Sequence, residues 1–340
     1  MQENPAEVCN GCGRPPRRTK EGTFIPLRQC SRCGKAAYHD VTCQRRHYRK
    51  HKKVCRPHDA TSQESSNYRI EERPLRGNCM LAARDVMRGQ TIGSAEQLSP
   101  LVAPVLFENQ RSLRCAVCFG PRTKVFDCQD DRYVVHVCQT CGNDTEIELR
   151  MRQEMEAVRA TAQQIPRILS TAILVFRICL SLYRKKLAWD AIECMIAHVD
   201  DKPDAEIHQQ AIVMTVSSLL RARGAAIELL RIRNILSRIK VNAFTITDEQ
   251  GETVGIGLFR TAHYINHSCS PNVKQSFTIG VSRNLPALNL RAKESIKCGE
   301  EITISYIETG HRSLDERQAE LHQSYHFKCQ CSLCKRQGPN

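Results

Sequence analysis

Two short segments near the end of the chain contain residue types that the packing of helices and strands does not require. Residues 266–272 read Asn-His-Ser-Cys-Ser-Pro-Asn, and residues 299–306 read Gly-Glu-Glu-Ile-Thr-Ile-Ser-Tyr. An asparagine, a histidine and a cysteine between apolar segments must each find a polar partner or a ligand, because burying one of them unpaired costs about 1–3 kcal/mol. The two segments therefore predict a functional site rather than ordinary core.

The first 58 residues contain closely spaced cysteines and histidines. Two C-x2-C pairs are present, Cys9–Cys12 and Cys30–Cys33. Such a pair is a bidentate clamp, because a tight turn directs both thiolates at one tetrahedral ion. The other candidate ligands are His39, Cys43, His51 and Cys55, of which the last three suit one face of a helix. Eight ligands satisfy two zinc ions, but His47 is near enough to replace His39, so this ligand stays open.

Two further groups of cysteines follow. The first group is Cys115, Cys118, Cys138 and Cys141. Four thiolates without a histidine indicate a structural ion with no open coordination position. The second group is Cys329, Cys331 and Cys334, which supplies only three ligands. The spacings therefore predict three to four structural zinc ions in the whole chain.

The composition narrows the class of protein. The chain has 340 residues, 19 cysteines and a formal net charge of +14. It has neither a run of about 18 apolar residues nor a secretory segment, so we expect no membrane association. We expect an intracellular protein of the nucleus or cytoplasm, where cysteines bind metal rather than form disulfides. The positive charge suits an acidic or nucleic-acid-associated partner.

Changes in composition predict seven segments. These are a zinc-binding segment (1–58), a polar linker (59–73), a strand-rich segment (74–112), a four-cysteine insert (113–143), a helical segment (144–240), a second strand-rich segment (241–309) and a tail (310–340). The helical segment has apolar residues at three- and four-residue spacing. Within it, residues 168–183 predict a buried helix, and Cys179 and Cys194 are expected in the core.

The N-terminal segment resembles a MYND finger, in which the ligand pairs interleave. The resemblance implies two ligand sets: Cys9, Cys12, His39 and Cys43 for one zinc ion, and Cys30, Cys33, His51 and Cys55 for the other. His39 stands where the family usually has cysteine. MYND fingers generally bind proline-containing peptides, so such partners are expected. The fourteen lysines and arginines from Arg14 to Arg56 also suit nucleic-acid phosphates.

Residues 266–272 and 299–306 together resemble the C-terminal half of a SET domain, the fold of protein-lysine methyltransferases. Most of the chain resembles the SET and MYND domain-containing (SMYD) family. The resemblance implies an α+β fold of short β-sheets with pseudoknot-like threading, a helical insertion, an N-terminal MYND finger and a cysteine-rich post-SET tail. In this family the fourth ligand of the post-SET zinc is the cysteine of the Asn-His-Ser-Cys run, here Cys269.

The resemblance also implies the residues of a methyl-transfer site. The catalytic channel would be formed by Phe244, Tyr306 and Tyr325. The residues implied to bind S-adenosylmethionine are Arg76, Gly77, Asn78, Asn242, Asn266, His267, Tyr306 and Phe327. Two features depart from the family: Cys79 stands where it usually has glycine, and the recognisable finger precedes Arg76 instead of being inserted within the SET domain.

These residues predict the chemistry of lysine methylation. A lysine side chain, with a reference pKa near 10.4, is about 99.9% protonated at neutral pH, and an apolar aromatic channel favours the neutral amine by desolvation. We predict a monomeric S-adenosylmethionine-dependent protein-lysine N-methyltransferase that acts on a histone or non-histone lysine. The alternatives are a MYND scaffold whose SET fold has lost activity, which Cys79 suggests, and a nucleic-acid-binding zinc protein.

Overall fold

The computed structural model describes residues 8–18, 25, 27–30, 36–52, 67–74, 76–121, 135–159, 168–197 and 203–338. By their internal packing, the residues fall into two units, Met1–Ser65 and Ser66–Asn340. The predicted zinc ligands Cys33 and Cys55 lie outside the described residues.

The first unit is a small finger whose core consists mainly of cysteines. Strand β1 (Arg28–Gln29) pairs antiparallel with β2 (Ala37–Tyr38), and helix α1 (Val41–His51) follows. Helix α1 begins after Asp40, whose carboxylate accepts a hydrogen bond of 2.9 Å from the backbone N–H of Cys43, which is a typical N-cap. Cys43 and His51 are the buried residues of α1, as their spacing predicts.

The second unit contains short strands in several small sheets. The strands are β3 (Tyr68–Arg73), β4 (Gly77–Ala82), β5 (Thr91–Ile92), β6 (Val105–Leu106), β7 (Phe244–Thr247), β8 (Thr253–Gly257), β9 (Asn266–His267), β10 (Val273–Thr278), β11 (Ala287–Ala292) and β12 (Thr303–Ile304). Three antiparallel sheets have the orders β3–β4, β10–β11–β5 and β6–β8–β7.

The remaining strands, β9 and β12, form a parallel pair. Thr303 is opposite Asn266, and Ile304 is opposite His267. The N–H of Ser268 also donates a 2.9 Å hydrogen bond to the carbonyl oxygen of Ile304, whose side chain is buried. The C-terminal strand therefore lies directly beside the polar segment 266–272, as the predicted pseudoknot-like threading requires.

Helices supply the rest of the second unit. They are α2 (Glu108–Arg111), α3 (Gln139–Gly142), α4 (Thr145–Arg159), α5 (Leu169–Tyr183), α6 (Asp190–Glu193), α7 (Pro203–Ala222), α8 (Leu229–Asn242), α9 (Leu314–Tyr325) and α10 (Ser332–Gln337). Helix α5 is apolar on most of its surface because it packs against both α7 and α8. The predicted buried helix is thus confirmed. Among the described residues, no helix combines the length and the apolar character that a bilayer span needs.

Helix α9 positions the last cysteines. It starts with a capping box, in which Ser313 and Glu316 each accept a hydrogen bond from the other's backbone N–H. It ends at His326, which adopts the left-handed conformation with φ of 58°. A left-handed residue after a helix reverses the chain direction. This reversal leads the chain through Phe327 into the cysteine tail.

Two expectations are wrong. The predicted linker 59–73 is too long, because Tyr68–Arg73 forms β3, in which Tyr68 is buried against the core while Glu71 and Glu72 face outward. Cys194 is exposed rather than in the core, because it ends the short surface helix α6, whereas Cys179 on α5 is buried as expected.

Candidate functional site

The three residues predicted to be catalytic, Phe244, Tyr306 and Tyr325, line one cavity of about 120 Å³. Phe244 begins β7, Tyr306 follows β12, and Tyr325 is the last residue of α9. The ring centroids of Tyr306 and Tyr325 are 4.9 Å apart, and Ile265 and Ile304 extend the apolar wall. Elements that are distant in the sequence therefore meet around a narrow aromatic cavity.

Tyr306 is held at three points. Its hydroxyl donates a 2.7 Å hydrogen bond to the carbonyl oxygen of Ile265, and its backbone N–H donates a 3.0 Å bond to Nδ1 of His267. The hydroxyl of Tyr325 donates a 3.4 Å bond to the carbonyl oxygen of Tyr306. Burial, and then the neighbouring Tyr325, raise the pKa of the Tyr306 phenol well above its ordinary value. The phenol is therefore protonated at neutral pH and does not act as a general base.

His267 connects Tyr306 to a cysteine. Since a backbone N–H can only donate, Nδ1 of His267 is the acceptor and the ring proton lies on Nε2. Nε2 is 3.2 Å from Sγ of Cys269. Burial, and then Arg317, lower the pKa of His267 to about 4, so the ring is neutral. Because both ring nitrogens have partners within the protein, only the ring face and the backbone of His267 can touch a ligand.

Two of the predicted cofactor-binding residues, Arg76 and Asn266, are joined by Glu301. The side-chain amide of Asn266 donates a 2.8 Å bond to the Glu301 carboxylate, which also forms an ion pair with Arg76. The same amide donates a 3.2 Å bond to Sγ of Cys79. Burial, and then Glu301, raise the pKa of Cys79 to about 11, so its thiol is neutral. Sequence reasoning did not single out Glu301, although it lies in the segment 299–306.

The other predicted cofactor-binding residues have different surroundings. Gly77, with φ of 65°, and Asn78 are exposed next to Arg76 on the edge of β4. The ring of Phe327 lies 5.9 Å from that of His267, centroid to centroid. Asn242 lies on the aromatic cavity, but its amide donates to the backbone carbonyls of Ile196 and Arg238 at the end of α8. The structure thus groups Asn242 with the residues predicted to be catalytic rather than with Arg76 and Asn266.

Polar residues that the sequence did not identify as site residues also line the cavity, among them His263 and Gln275. Burial lowers the pKa of His263 to about 4. Its Nε2 is 3.7 Å from Sγ of Cys194, so the exposed thiol contacts a residue of the cavity wall. No spacing rule marks His263, since it lies in a 3-10 turn that only the tertiary fold brings to the cavity.

A four-cysteine group adjoins this site and is called the tail cluster below. Its members are Cys269, Cys329, Cys331 and Cys334, whose sulfur atoms all lie within 4.8 Å of one another. Arg317, only 1% exposed, donates to the carbonyl oxygen of Arg312 and to the side chain of Gln337, and its Nη2 is 3.9 Å from Sγ of Cys334. The geometry agrees with the ligand set that the resemblance implied, whereas Arg317 was not anticipated.

A second group, called the island below, lies against the helical core. Its members are Cys115, Cys118, Cys138 and Cys141, again within 4.8 Å of one another and all buried. The N–H of Arg283, in the loop between β10 and β11, donates a 3.1 Å bond to Sγ of Cys141. The N–H of Gly280 in the same loop donates to the carbonyl oxygen of Cys118. The island therefore fastens this loop to the four-cysteine insert.

The finger unit brings together Cys9, Cys12, His39 and Cys43 in the same way. Nδ1 of His39 is 3.4 Å from Sγ of Cys12, and its Nε2 is 2.8 Å from the carbonyl oxygen of Pro15. This arrangement selects His39 over His47, which instead bonds the hydroxyl of Tyr38. Nε2 of His51 is 3.3 Å from Sγ of Cys30, as the second predicted ligand set requires of these two residues.

The three complete groups fit zinc chemically. Each offers four sulfur or nitrogen donors that a single tetrahedral ion can bridge, and none includes the oxygen ligands that calcium or magnesium prefers. In the finger group, the carbonyl oxygen of Pro15 accepts the Nε2 proton of His39 and so leaves Nδ1 for the ion.

Comparison with known proteins identifies the fold. The family model described as SET domain matches residues 77–307. The chain is 28% identical over 284 residues to histone-lysine N-methyltransferase ASHR1 of Arabidopsis thaliana, which covers 79% of this chain and 55% of that protein. It is 26% identical over 250 residues to histone-lysine N-methyltransferase Smyd1 of Mus musculus, covering 68% of this chain and 49% of that protein.

A shorter match is closer in sequence: histone-lysine N-methyltransferase SMYD3 of Homo sapiens is 38% identical over 101 residues, which is 30% of this chain and 22% of that protein. Among solved structures, the SET domain of LSMT bound to lysine and AdoHcy matches 84% of this chain and 56% of its own, with a TM-score of 0.42 and 14% identity. The chain spans about half the length of the first curated relatives that it matches. Because the family model covers more than half of the chain, the predicted SET fold is confirmed, and the chain belongs to the SET-domain family.

Proposed function

We propose that the chain is an S-adenosylmethionine-dependent protein-lysine N-methyltransferase whose substrate is a lysine of a histone or non-histone protein. The observation that carries the proposal is the aromatic cavity of Phe244, Tyr306 and Tyr325 inside a SET fold. Its volume of about 120 Å³ suits the end of one side chain rather than a whole cofactor, since sites for drug-sized ligands measure roughly 300–1,000 Å³.

The residues beside the cavity have the chemistry to hold the cofactor. When bound, S-adenosylmethionine supplies an electrophilic methyl group. The guanidinium of Arg76 suits its carboxylate, the amide oxygen of Asn266 suits its ammonium group, and the ring of Phe327 suits its adenine. Cys79 is fully buried against Asn266, so the thiol does not fill the exposed edge of β4 at Gly77 and Asn78. The departure from glycine is therefore compatible with a cofactor site, which favours the enzyme over the inactive scaffold.

The cavity itself would prepare the substrate. Its aromatic walls exclude water from an entering ammonium group and so favour the neutral, nucleophilic amine. The hydroxyl hydrogen of Tyr306 is committed to the carbonyl oxygen of Ile265, so the hydroxyl oxygen keeps lone pairs that can accept a hydrogen bond from the substrate nitrogen. Tyr306 would therefore orient the amine. Catalysis would come from positioning and desolvation rather than from a general base.

Methyl transfer tests this proposal. The full chain is incubated with radiolabelled S-adenosylmethionine and either histones or a cell extract, and the modified lysine is identified by mass spectrometry. We expect Tyr306→Phe to lower the rate about a hundredfold, because misplacing the reacting groups has an effect of this size. Tyr183→Phe, on an exposed tyrosine of α5, should leave the rate unchanged. The absence of both labelling and calorimetric cofactor binding would contradict the proposal.

The seven segments predicted from composition and the peptide partner of the finger unit belong to the same proposal. We propose that the finger unit binds proline-containing peptides of nuclear or cytoplasmic proteins, which the clustered ligands of a folded finger support. Calorimetry with a proline-rich peptide and with a short RNA tests this partner. Binding of the RNA alone, weakening steeply with salt, would favour the nucleic-acid alternative.

A further inference from the structure

A second cavity of about 300 Å³ lies in the helical part of the SET unit, outside the site described above. It is bounded by α4, by the end of α5 and the turn that follows it, and by the end of α7. Its size falls within the range of small-ligand sites. None of the residues predicted to bind the cofactor or the substrate lysine lines it.

The side chains that line this cavity carry an excess of positive charge. Besides Arg177, four cationic side chains line it, namely Arg150, Arg184, Lys186 and Arg223. Within the described part of the chain, none of these four forms an ion pair; Arg223 donates a 2.6 Å hydrogen bond to the neutral amide oxygen of Gln153. Arg184 and Lys186 are exposed, so they can move toward a ligand.

The acid of the cavity does not offset this charge. Glu154 is buried and forms two 2.7 Å contacts with Arg177, so these two charges neutralise each other. The remaining donor of Arg177 is used by the backbone carbonyls of Ala103 and Pro104. Desolvation, and then the Arg177 cation, lower the pKa of Arg150, and the nearby acids Glu154, Glu146 and Asp144 oppose this lowering only in part. A bound anion would supply the missing charge.

The walls of the cavity add a second recognition element. Leu101, Phe176, Leu180 and Leu187 provide apolar surface next to the cations. Arginine forks match the geometry of phosphate oxygens, and apolar walls favour an aromatic or aliphatic group. We propose that this cavity binds a small organic phosphate, in which a phosphate group contacts the four cations and an apolar portion packs on the leucines. The proposal does not depend on methyltransferase activity.

Calorimetry with 1-naphthyl phosphate as the probe tests this site in the zinc-loaded full chain. We expect saturable binding of one probe molecule that weakens with added salt. The double variant Arg184→Gln/Lys186→Gln should weaken binding about tenfold or more, because hydrogen bonds to charged groups are lost. A second double variant, Arg150→Gln/Arg223→Gln, should do the same. Both exposed residues of the first variant are dispensable for packing, and thermal unfolding of each variant confirms that it is folded.

The matched control is Lys274→Gln/Lys293→Gln, which removes the same charge from exposed residues of the β10–β11 region. It should change the affinity by no more than about twofold. Equal losses in the control and the test variants would overturn the proposal, as would the absence of saturable binding. Inorganic phosphate that binds as tightly as 1-naphthyl phosphate would overturn the role of the apolar wall. A polyglutamate peptide that binds more tightly than the probe would show that a macromolecule occupies the site.

Discussion

The island and the tail cluster each offer four cysteine ligands, but the two clusters lie in different surroundings. In the island, backbone N–H groups approach the sulfurs: that of Arg283 is 3.1 Å from Sγ of Cys141, and that of Cys141 is 3.5 Å from Sγ of Cys138. In the tail cluster, backbone N–H groups approach Cys329 and Cys331 as well, and two charged or aromatic side chains are added, namely His267 beside Cys269 and Arg317 beside Cys334. The island holds a surface loop, whereas the tail cluster is connected through His267 to the backbone of Tyr306.

This difference indicates that identical ligand sets have different roles. Four thiolates and one zinc ion carry a net double negative charge, which a buried site must stabilise. The buried Arg317 offsets part of that charge, and the Nε2 proton of His267 stabilises one thiolate while Nδ1 fixes Tyr306. Metal binding at the tail cluster is therefore expected to order the catalytic cavity. Metal binding at the island is expected to stabilise the fold without reaching the cavity.

The largest expected effect comes from replacing one cysteine in each of the two clusters and comparing the results. Cys329→Ser should remove the tail zinc and lower methyl transfer at least a hundredfold, because His267 and Tyr306 lose their anchor. Cys138→Ser should remove the island zinc and lower the unfolding temperature, yet the folded fraction should retain transfer. Zinc content, unfolding temperature and transfer rate are measured on each variant.

The exposed Cys298 provides the control for these substitutions. Cys298→Ser should keep the zinc content and the transfer rate of the unchanged chain. Loss of transfer in folded Cys138→Ser would remove the functional distinction between the two clusters.

A smaller effect is expected from a substitution that tests the connection between the tail cluster and Tyr306. His267→Gln lacks the paired ring nitrogens, so it cannot keep both the Cys269 and the Tyr306 contacts in their present geometry. We expect the zinc affinity of the tail cluster to fall about 10–100-fold, the usual cost of losing a residue that supports a metal ligand. Competition with a chelator measures the affinity. Ser282→Ala, 3.8 Å from Cys138 in the island, is the counterpart and should change little; unchanged affinity in His267→Gln would refute the connection.

Sequence reasoning identified the ligands because their spacing is local. A C-x2-C pair indicates a tight turn that places both cysteines at one ion, and the spacing of Cys43 and His51 indicates one face of a helix. Both patterns can be recognised without knowledge of the tertiary structure. The pseudoknot-like threading and the choice of Cys269 as the fourth ligand came from the family resemblance, whereas the parallel pairing of residues 266–267 with 303–304 is seen only in the structure. The choice between His39 and His47 required the structure, because it depends on the carbonyl oxygen of Pro15 reaching His39.

The residues that sequence reasoning missed act through long-range contacts. Glu301 joins Arg76 and Asn266 across more than thirty residues, and Arg317 is a helical arginine whose burial follows only from the fold of the tail around it. The end of the linker was misjudged because Tyr68–Arg73 is charged and short, and it becomes a strand only by pairing with β4. Neither the hydrophobic periodicity of a segment nor its composition identifies the distant residues with which it will pair.

Removal of the buried cation tests the electrostatic part of the comparison. Arg317→Met should lower the free energy of unfolding of the zinc-loaded chain by about 3 kcal/mol, because a buried charged partner is lost beside the thiolates. The loss should be smaller in the metal-free chain, because burial raises the pKa values of Cys269 and Cys329 and these thiols are then neutral. Urea unfolding with and without zinc measures both values. Lys335→Met, at an exposed position of α10, should have little effect, and an equal loss with and without zinc would contradict the proposed charge compensation.

The last effect is confined to acid pH and must be separated from metal release, because every cluster loses zinc as its thiolates become protonated. His263 is the group in question: burial lowers its pKa from 6.5 to about 4 in the folded chain. Between these values the unfolded chain binds a proton that the folded chain does not, so the free energy of unfolding falls as the pH drops through this window. The linkage amounts to about 3 kcal/mol and vanishes above the ordinary pKa.

The change that isolates this contribution is His263→Gln, which keeps a polar side chain but does not titrate. Metal release affects the variant and the unchanged chain alike, so it cancels in the difference between their unfolding free energies. That difference should shift in favour of the variant as the pH is lowered from 6.5 to 4, and urea unfolding at a series of pH values measures it. His322→Gln, on an exposed histidine of α9, should give no such shift. Parallel curves for His263→Gln and the unchanged chain would contradict the lowered pKa of His263, and the acid sensitivity would then be assigned to the metal clusters.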